Sequence, residues 1–425
     1  MTKIAFIGAG SVEFTKNLLG DILSFEELKD AHIALHDIDS ERLGVAEAMA
    51  AYTNRELDGS ARITTHLDRR AAIEGCDHVI NMIQVGGFEA TKLDFDIPAA
   101  HGLRQTIGDT LGIGGIFRAL RTIPVMLDIG REMDELAPGA WFLNYTNPMA
   151  MLCWATYAGS PQQRIVGLCH SVQNTTHELA ELVGVPFEQV SFLGGGVNHQ
   201  AFILRFERDG DDLYPLLDDV IANDPELRRR VRVEMYRRYG YFPTESSEHG
   251  SEYLPWVLRS DEAIERYRIL VGDYIERSIE NLEFYAEMKR QLEAGEPIEI
   301  ERSQEYASLI IHSILTGQER VIYGNVRNGG LISNLPGEAC VEVPCLVDKN
   351  GVQPTALGAL PPQLAALNRT FLNVCELTVA AALEHNREHV HHAALLDPAA
   401  SSALSPAQIH DVVEELLAAH NLDYE

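Results

Sequence analysis

Basic charge is what this chain has least of for its size: 34 lysines and arginines stand against 63 acids, a net charge of −29. That balance repels a phosphate backbone and leaves no cationic face for a lipid surface, so neither nucleic acid nor membrane is an expected partner. No apolar run approaches the ~20 residues of a membrane span. The start Met-Thr-Lys-Ile-Ala-Phe-Ile-Gly lacks the cationic flank, long apolar stretch and cleavage site of a secretory signal, so a cytoplasmic protein is expected. The six cysteines (Cys76, Cys153, Cys169, Cys340, Cys345, Cys375) have no framework spacing, which excludes a disulfide scaffold and predicts reduced thiols. Repeats, low-complexity tracts and Gly/Ser linkers are missing too. What is there is 46% apolar content over 425 residues, enough for a large core in two domains or one elaborated domain. The partners to expect are a small-molecule substrate and copies of the chain itself, a dimer or tetramer by default.

Residues 3–7 read as a short apolar strand, followed by Gly8-Ala9-Gly10-Ser11 and a helical pattern with Phe14, Leu18, Leu19 and Ile22 on one face. Further strands are predicted at 32–36, 61–65, 78–85, 141–145 and 164–168, with helices through the 40s and at 115–134 and 174–184. Such alternation predicts an α/β fold, a Rossmann-like doubly wound parallel sheet over residues 1–190. Beyond 190 the alternation stops. Helical stretches at 260–293, 304–316, 361–390 and 405–420, the last opened by Ser405-Pro406, predict a mixed α+β region over 191–425 that carries substrate and oligomer contacts.

Gly8 and Gly10 allow a tight turn and close approach of a pyrophosphate to a helix amino terminus, with Ser11 at its entrance. Asp37, at the end of the second strand, can accept hydrogen bonds from ribose hydroxyls and disfavours a 2′-phosphate, so the expected cofactor is NAD rather than NADP. The third glycine of the fingerprint is absent, Glu13 standing in its place. The strand before the motif, the helix after it and the acidic strand end downstream restore the assignment; a βα turn that binds nothing is the alternative.

The predicted strand at 164–168 delivers Cys169 and His170 to its carboxyl end, the edge at which open α/β sheets bind ligands. His199 follows Gly194-Gly195-Gly196. One thiolate and one imidazole leave most of a coordination sphere open, which suits a catalytic metal; a buried cysteine near a core histidine fits the spacing equally. Asn144 and Asn147 in Asn-Tyr-Thr-Asn-Pro either orient substrate oxygens or cap a turn. Asp109-Thr110 either binds a polyol or caps a helix. The segment from Tyr241 through Glu245 and Glu248 to His249 offers a general base or a solvated helix entrance. His385, His389, His391 and His392 are read as a polar helix end rather than a metal face.

The stretches GAGSVEF, DTLGIGG, LNYTNPMA, GLCHSVQ, GGVNHQAF, GYFPTESSEHGSEY and IYGNVRNGGLISNLP occur in this order across most of the chain. Together they resemble the NAD- and manganese-dependent family 4 glycoside hydrolases, and within them the melibiase-type α-galactosidase subgroup, whose signature the Cys-His-Ser-Val tetrad is similar to. Members acting on phosphorylated sugars carry Asp or Asn after the cysteine. The resemblance implies a lactate/malate dehydrogenase-like fold and a redox-assisted elimination, outside two-carboxylate glycosidase chemistry. Sugar C3 is oxidised by hydride transfer to NAD⁺, the C2 proton is removed, the aglycone leaves C1, water adds, and the hydride returns. Carried over residue by residue, Cys169 and His199 become the metal ligands, with Mn²⁺ the expected ion and other divalent metals possible. Asn147 and Asp109 become substrate contacts, Asn144 a cofactor contact and His170 the acid. The base is Tyr241 or Tyr239, with Glu245 as the carboxylate alternative; Tyr241 is preferred.

Phosphosugar members carry an arginine after Val-Gly-Gly-x-x-Ala, and here Thr91 follows Val85-Gly-Gly-Phe-Glu-Ala. The resemblance therefore implies an unphosphorylated hexoside, an α-galactoside before an α-galacturonide or α-glucoside. Two rivals stand beside this reading: a malate- or lactate-type dehydrogenase, which needs no metal, and a non-catalytic NAD(H) sensor.

Overall fold

A computed structural model describes all 425 residues. Six strands form the first half: β1 Lys3–Ile7, β2 His32–His36, β3 Arg62–His66, β4 His78–Asn81, β5 Trp141–Asn144 and β6 Ile165–Leu168. All their pairings are parallel, in the order β3-β2-β1-β4-β5-β6. This is the doubly wound order expected from the sequence, with its switch point between β1 and β4. Residues 4–7 of β1 are almost wholly buried, as a strand covered on both faces by helices must be.

The second half adds β7 Ser191–Val197, β8 Gln200–Arg208, β9 Asp211–Asp212, β10 Phe242–Pro243, β11 Arg320–Arg327, β12 Cys340–Asp348 and β13 Gly351–Pro354. These strands do not build a separate layer. The sheet continues from β6 antiparallel through β11, β12, β7 and β8 to β10, giving one 13-stranded sheet with β13 and β9 as side pairings. A single apolar cluster runs from Ile4 to Tyr424 through both halves. The mixed α+β region is thus fused to the parallel half along β6, the strand that ends at Cys169.

Several predicted elements differ in extent. The strand expected over 78–85 stops at Asn81, because Met82 to Gly86 turn over Gly8 and into the helix Gly87–Ala100. The helix expected over 260–293 is two, Asp261–Tyr267 and Asp273–Ala294, separated by left-handed backbone at Arg268 (φ 51°) and Gly272 (φ 80°). The stretch 361–390 likewise breaks at His385 (φ 54°) into Pro362–Glu384 and Arg387–Leu396, the second capped by Asn386. At 405 the expected cap is present: the Ser405 side chain accepts the Gln408 N–H and the Gln408 side chain accepts the Ser405 N–H, a capping box.

Candidate active site

The glycine turn after β1 is built as a dinucleotide loop requires. Gly8 has φ 86°, and a Cβ there would stand 3.0 Å from the Met82–Ile83 backbone. At Gly10 the constraint is a side chain: a Cβ would meet the Asp37 carboxylate at 2.6 Å, the oxygen that accepts the Gly10 N–H at 2.8 Å. Asp37 also accepts the Asp39 N–H, and each of its oxygens keeps a lone pair for a ribose hydroxyl. Ser11 precedes the helix Val12–Leu23 without a side-chain capping bond, so its hydroxyl is free at the anion-attracting helix end.

Three elements that are distant in sequence converge at the carboxyl end of β6. Cys169 follows that strand. His199 is the second residue of the two-residue turn between β7 and β8, and Glu245 follows β10 by two residues. The Cys169 Sγ lies 3.6 Å from His199 Nε2 and 3.7 Å from Glu245 Oε1, and the His199 Nε2 to Glu245 Oε1 distance is 3.4 Å. His199 and Glu245 both have positive φ, 64° and 70°. Left-handed backbone is uncommon outside glycine and gathers where function holds it in place. Thiol, imidazole and carboxylate so arranged fit a divalent cation.

Electrostatics agree. Burial, then the carboxylates of Glu245 and Glu342, push the Cys169 thiol well above its usual range, so a thiolate here calls for a bound cation. Burial also works to raise Glu245, but His199, His249, Arg232 and His170 outweigh it and hold the carboxyl below its usual range. His249, against the His199 ring with centroids 4.4 Å apart, is driven down to about 4 by burial and by His199 and is neutral near pH 7.

A hydrogen-bond chain fixes the His199 tautomer. The Thr110 hydroxyl gives its single proton to Asp109 Oδ1 at 2.7 Å. Burial works to raise Asp109, yet His249, Arg118 and His199 hold it below its usual range, so it is an ionised acceptor. Thr110 Oγ1, 3.0 Å from His199 Nδ1, can then only accept, so the ring proton sits on Nδ1 and the Nε2 lone pair faces Cys169 and Glu245. Asn147 Nδ2 donates to the other Asp109 oxygen at 3.0 Å. Its own Oδ1 is buried without a partner in the chain, an acceptor available to a ligand.

His170 sits on the rim. It is part-exposed, and its Nδ1 lies 3.2 Å from Glu305 Oε1. The hydrogen bond to Glu305 outweighs burial and raises the His170 pKa, which suits a proton donor.

Other expected residues are placed differently. Asn144 is fully buried, with Nδ2 donating to the Thr146 carbonyl and Oδ1 accepting from Asn81 and Thr146, so its side chain is engaged in holding the turn. Asp109 reaches the site but is engaged by Thr110 and Asn147, which makes it an anchor for His199 before it is a substrate contact. Tyr241 and Tyr239 pack against an apolar cluster that includes Phe202, Val231 and Met235. Of the base candidates, Glu245 is the one brought to Cys169 and His199. The histidine run forms no face of its own: His391 Nε2 bonds Glu414 at 2.9 Å, Arg387 forks onto the same carboxylate, and His410 stacks on His391. Glu305 and Glu342 were invisible as site residues. Glu342 left one signal, a charge set between Val341 and Val343 in an otherwise apolar run; Glu305 left none.

Two family profiles match the chain: Family 4 glycosyl hydrolase over residues 3–185, and Family 4 glycosyl hydrolase C-terminal domain over 195–400. An α-galactosidase of Bacillus subtilis (strain 168) is 43% identical over 425 residues, covering 99% of this chain and 98% of its own length. An α-galactosidase of Rhizobium meliloti (strain 1021) is 36% identical, covering 98% of this chain and 88% of its own. Among solved structures, a 6-phospho-α-glucosidase from gut microorganisms in complex with NAD and Mn²⁺ superposes with a TM-score of 0.83 at 20% identity, over 100% of this chain and 99% of that one.

Proposed function

The chain belongs to family 4 of the glycosyl hydrolases, and on that premise we propose that it hydrolyses unphosphorylated α-galactosides such as melibiose, using NAD⁺ and a divalent metal, Mn²⁺ by preference. The observation that carries the reading is the Cys169–His199–Glu245 cluster, standing on β6 of a dinucleotide-type sheet. The α-galactosidases at 43% and 36% identity support the substrate. So does the start of the helix Gly87–Ala100 after β4, where phosphosugar members carry an arginine. Thr91 is buried there, its hydroxyl donating to the Gly87 carbonyl. Arg121, whose side chain reaches the turn at Gly86, forks onto Asp94 and donates to the Val85 carbonyl, so its guanidinium is already engaged.

The residues divide the work. Gly8, Gly10, Ser11 and Asp37 hold the dinucleotide, with the pyrophosphate at the start of the helix Val12–Leu23. Cys169 and His199 hold the metal, with Glu245 beside them as a third ligand or as the base that takes the C2 proton. When bound, the two cofactors supply reversible oxidation at C3 and Lewis-acid polarisation of the sugar oxygens. Asn147 presents its free Oδ1 to a substrate hydroxyl. His170, whose pKa Glu305 raises, delivers a proton to the departing glycosidic oxygen, and the imidazole left behind can activate the water that adds at C1.

The test is an assay on p-nitrophenyl α-galactoside, α-glucoside and α-galacturonide with protein stripped of metal and nucleotide. Turnover of the galactoside that requires both NAD⁺ and Mn²⁺, with exchange of the C2 proton into solvent, is expected. Full activity without added NAD⁺ refutes the elimination route, and preference for another glycoside refutes the substrate.

A further inference from the structure

Glu342 has no place in that chemistry, and its position demands an explanation. It lies in the middle of β12 between Val341 and Val343, all three at 0% exposure. Neither carboxyl oxygen makes a hydrogen bond of normal geometry, although the Asn198 and Asn325 carboxamides lie close enough to favour its charged form. Both amide atoms of Asn198, itself at 0% exposure, also lack partners of normal geometry. Burying so many polar atoms costs free energy that mutual contact must offset.

The sheet register explains the grouping. Glu342 pairs with Asn325 on β11 and with Gly196 on β7, so these residues form one row across the sheet. Asn198 follows Gly196 by two residues, in the turn after β7, and its carboxamide lies close enough to Glu342 to favour the charged carboxyl; the space beside Gly196 itself is filled by Ala201, the Gln200 carbonyl and Asn368. The polar row therefore ends beneath the turn that presents His199.

That turn needs support. Val197 pairs with Gln200, leaving Asn198 and His199 as a two-residue hairpin turn, and of the two only His199 has positive φ. Positive φ at the second turn position is the type II pattern, which favours glycine there and splays hairpin strands. Thr110 holds the His199 ring from one side. Asn368 Nδ2 holds the Gln200 carbonyl just past the turn, and Glu342 is the buried group near the Asn198 carboxamide.

We propose that Glu342 is a positioning residue for the metal site, bracing the Asn198–His199 turn through the Asn198 carboxamide so that His199 Nε2 stays directed at the ion. This rests on His199 being a metal ligand, as the proposed function has it. Burial, with Glu245 second, pushes Glu342 up to about 8, so the carboxyl is mainly protonated near neutral pH and can both donate to and accept from an amide. Glutamine keeps both capacities and leucine keeps neither.

The experiment measures Mn²⁺ affinity of the full chain by electron paramagnetic resonance, without turnover, beside NAD⁺ affinity by fluorescence. Glu342→Leu is expected to weaken Mn²⁺ binding about 10- to 100-fold, the usual effect of losing a support to a ligand. Glu342→Gln is expected to stay within about threefold of wild type, with NAD⁺ affinity unchanged in both. Asn198→Ala should reproduce the leucine loss, and the double variant should be no worse than either single change. If Glu342→Leu does not fold, Asn198→Ala and Glu342→Gln carry the comparison. Wild-type affinity in Asn198→Ala or in folded Glu342→Leu, or equal loss in Glu342→Gln and Glu342→Leu, overturns the bracing role. Wild-type protein that binds no Mn²⁺ overturns the metal site itself, and the bracing role with it.

Discussion

Threonine 110 gives the sharpest test of the site, because a single hydroxyl sets which nitrogen of His199 is free. It is fully buried, donates to Asp109 and accepts from His199. Thr110→Val keeps shape and volume and removes only the oxygen. The His199 Nδ1–H then faces a methyl group, and a buried donor without a partner costs about 1–3 kcal/mol. The ring can escape by moving its proton to Nε2, but that nitrogen is the one facing Cys169 and Glu245, so the escape removes the metal ligand. Either route weakens Mn²⁺ binding, and 1.4 kcal/mol is tenfold, so the expected loss is about 10- to 100-fold in Kd. Thr110→Ser keeps the oxygen and should restore affinity to within a few-fold of wild type. Titration of Mn²⁺ followed by electron paramagnetic resonance reads the effect directly, and kcat at saturating Mn²⁺ shows whether the remaining site works. A valine variant that binds Mn²⁺ within twofold of wild type would refute the tautomer argument, because the ring would then need no acceptor at Nδ1.

Two further expectations concern protons. His170 keeps its proton to higher pH through Glu305, so Glu305→Gln should move the basic limb of kcat/KM to lower pH. His170→Ala should slow a disaccharide by about 10²–10⁴ but a nitrophenyl glycoside far less, since that leaving group needs no acid; equal losses on both substrates would rule out the acid role. Burial pushes Glu252, which accepts the N–H groups of Thr106, Ile107 and Gly108, up to about 8. The folded protein then holds a proton that the unfolded chain releases above about 4.5. Wild-type stability should therefore fall relative to Glu252→Gln between these pH values, by up to about 1.4 kcal/mol per unit. Urea denaturation of both proteins across that range tests it, and a constant difference would show the carboxyl to be ionised throughout.

Much of the first half was legible because short-range signals dictate it. An apolar strand, a glycine turn and an amphipathic helix are written in consecutive residues, and the parallel order follows from their alternation. Element ends were less legible, since the helices stop at left-handed Arg268 and His385, where the residue itself is not a glycine. The course of β7, β8, β11 and β12 was hidden for a different reason. Their pairings are antiparallel joins between segments as far apart as Gly167 and Asn325, and no local pattern shows which edge a strand will extend.

The same limit explains which site residues were found. Cys169 and His199 stand next to glycines or at a strand end, and the family motifs marked them. The relations that give them chemical meaning are all long-range: Thr110 to His199, His170 to Glu305, Cys169 to Glu245. Each crosses from one segment of the fold to another, and together they join the loop before the helix Gly112–Leu136, the end of β6, the β7–β8 turn and the residues after β10. Because one continuous sheet carries β6 through β10, Cys169, His199 and Glu245 cannot separate by a domain motion without breaking strand pairings. His170 differs from these three in being part-exposed and held by Glu305 from outside the sheet, so replacing Glu305 changes the acid's surroundings without touching the Cys169–His199–Glu245 cluster.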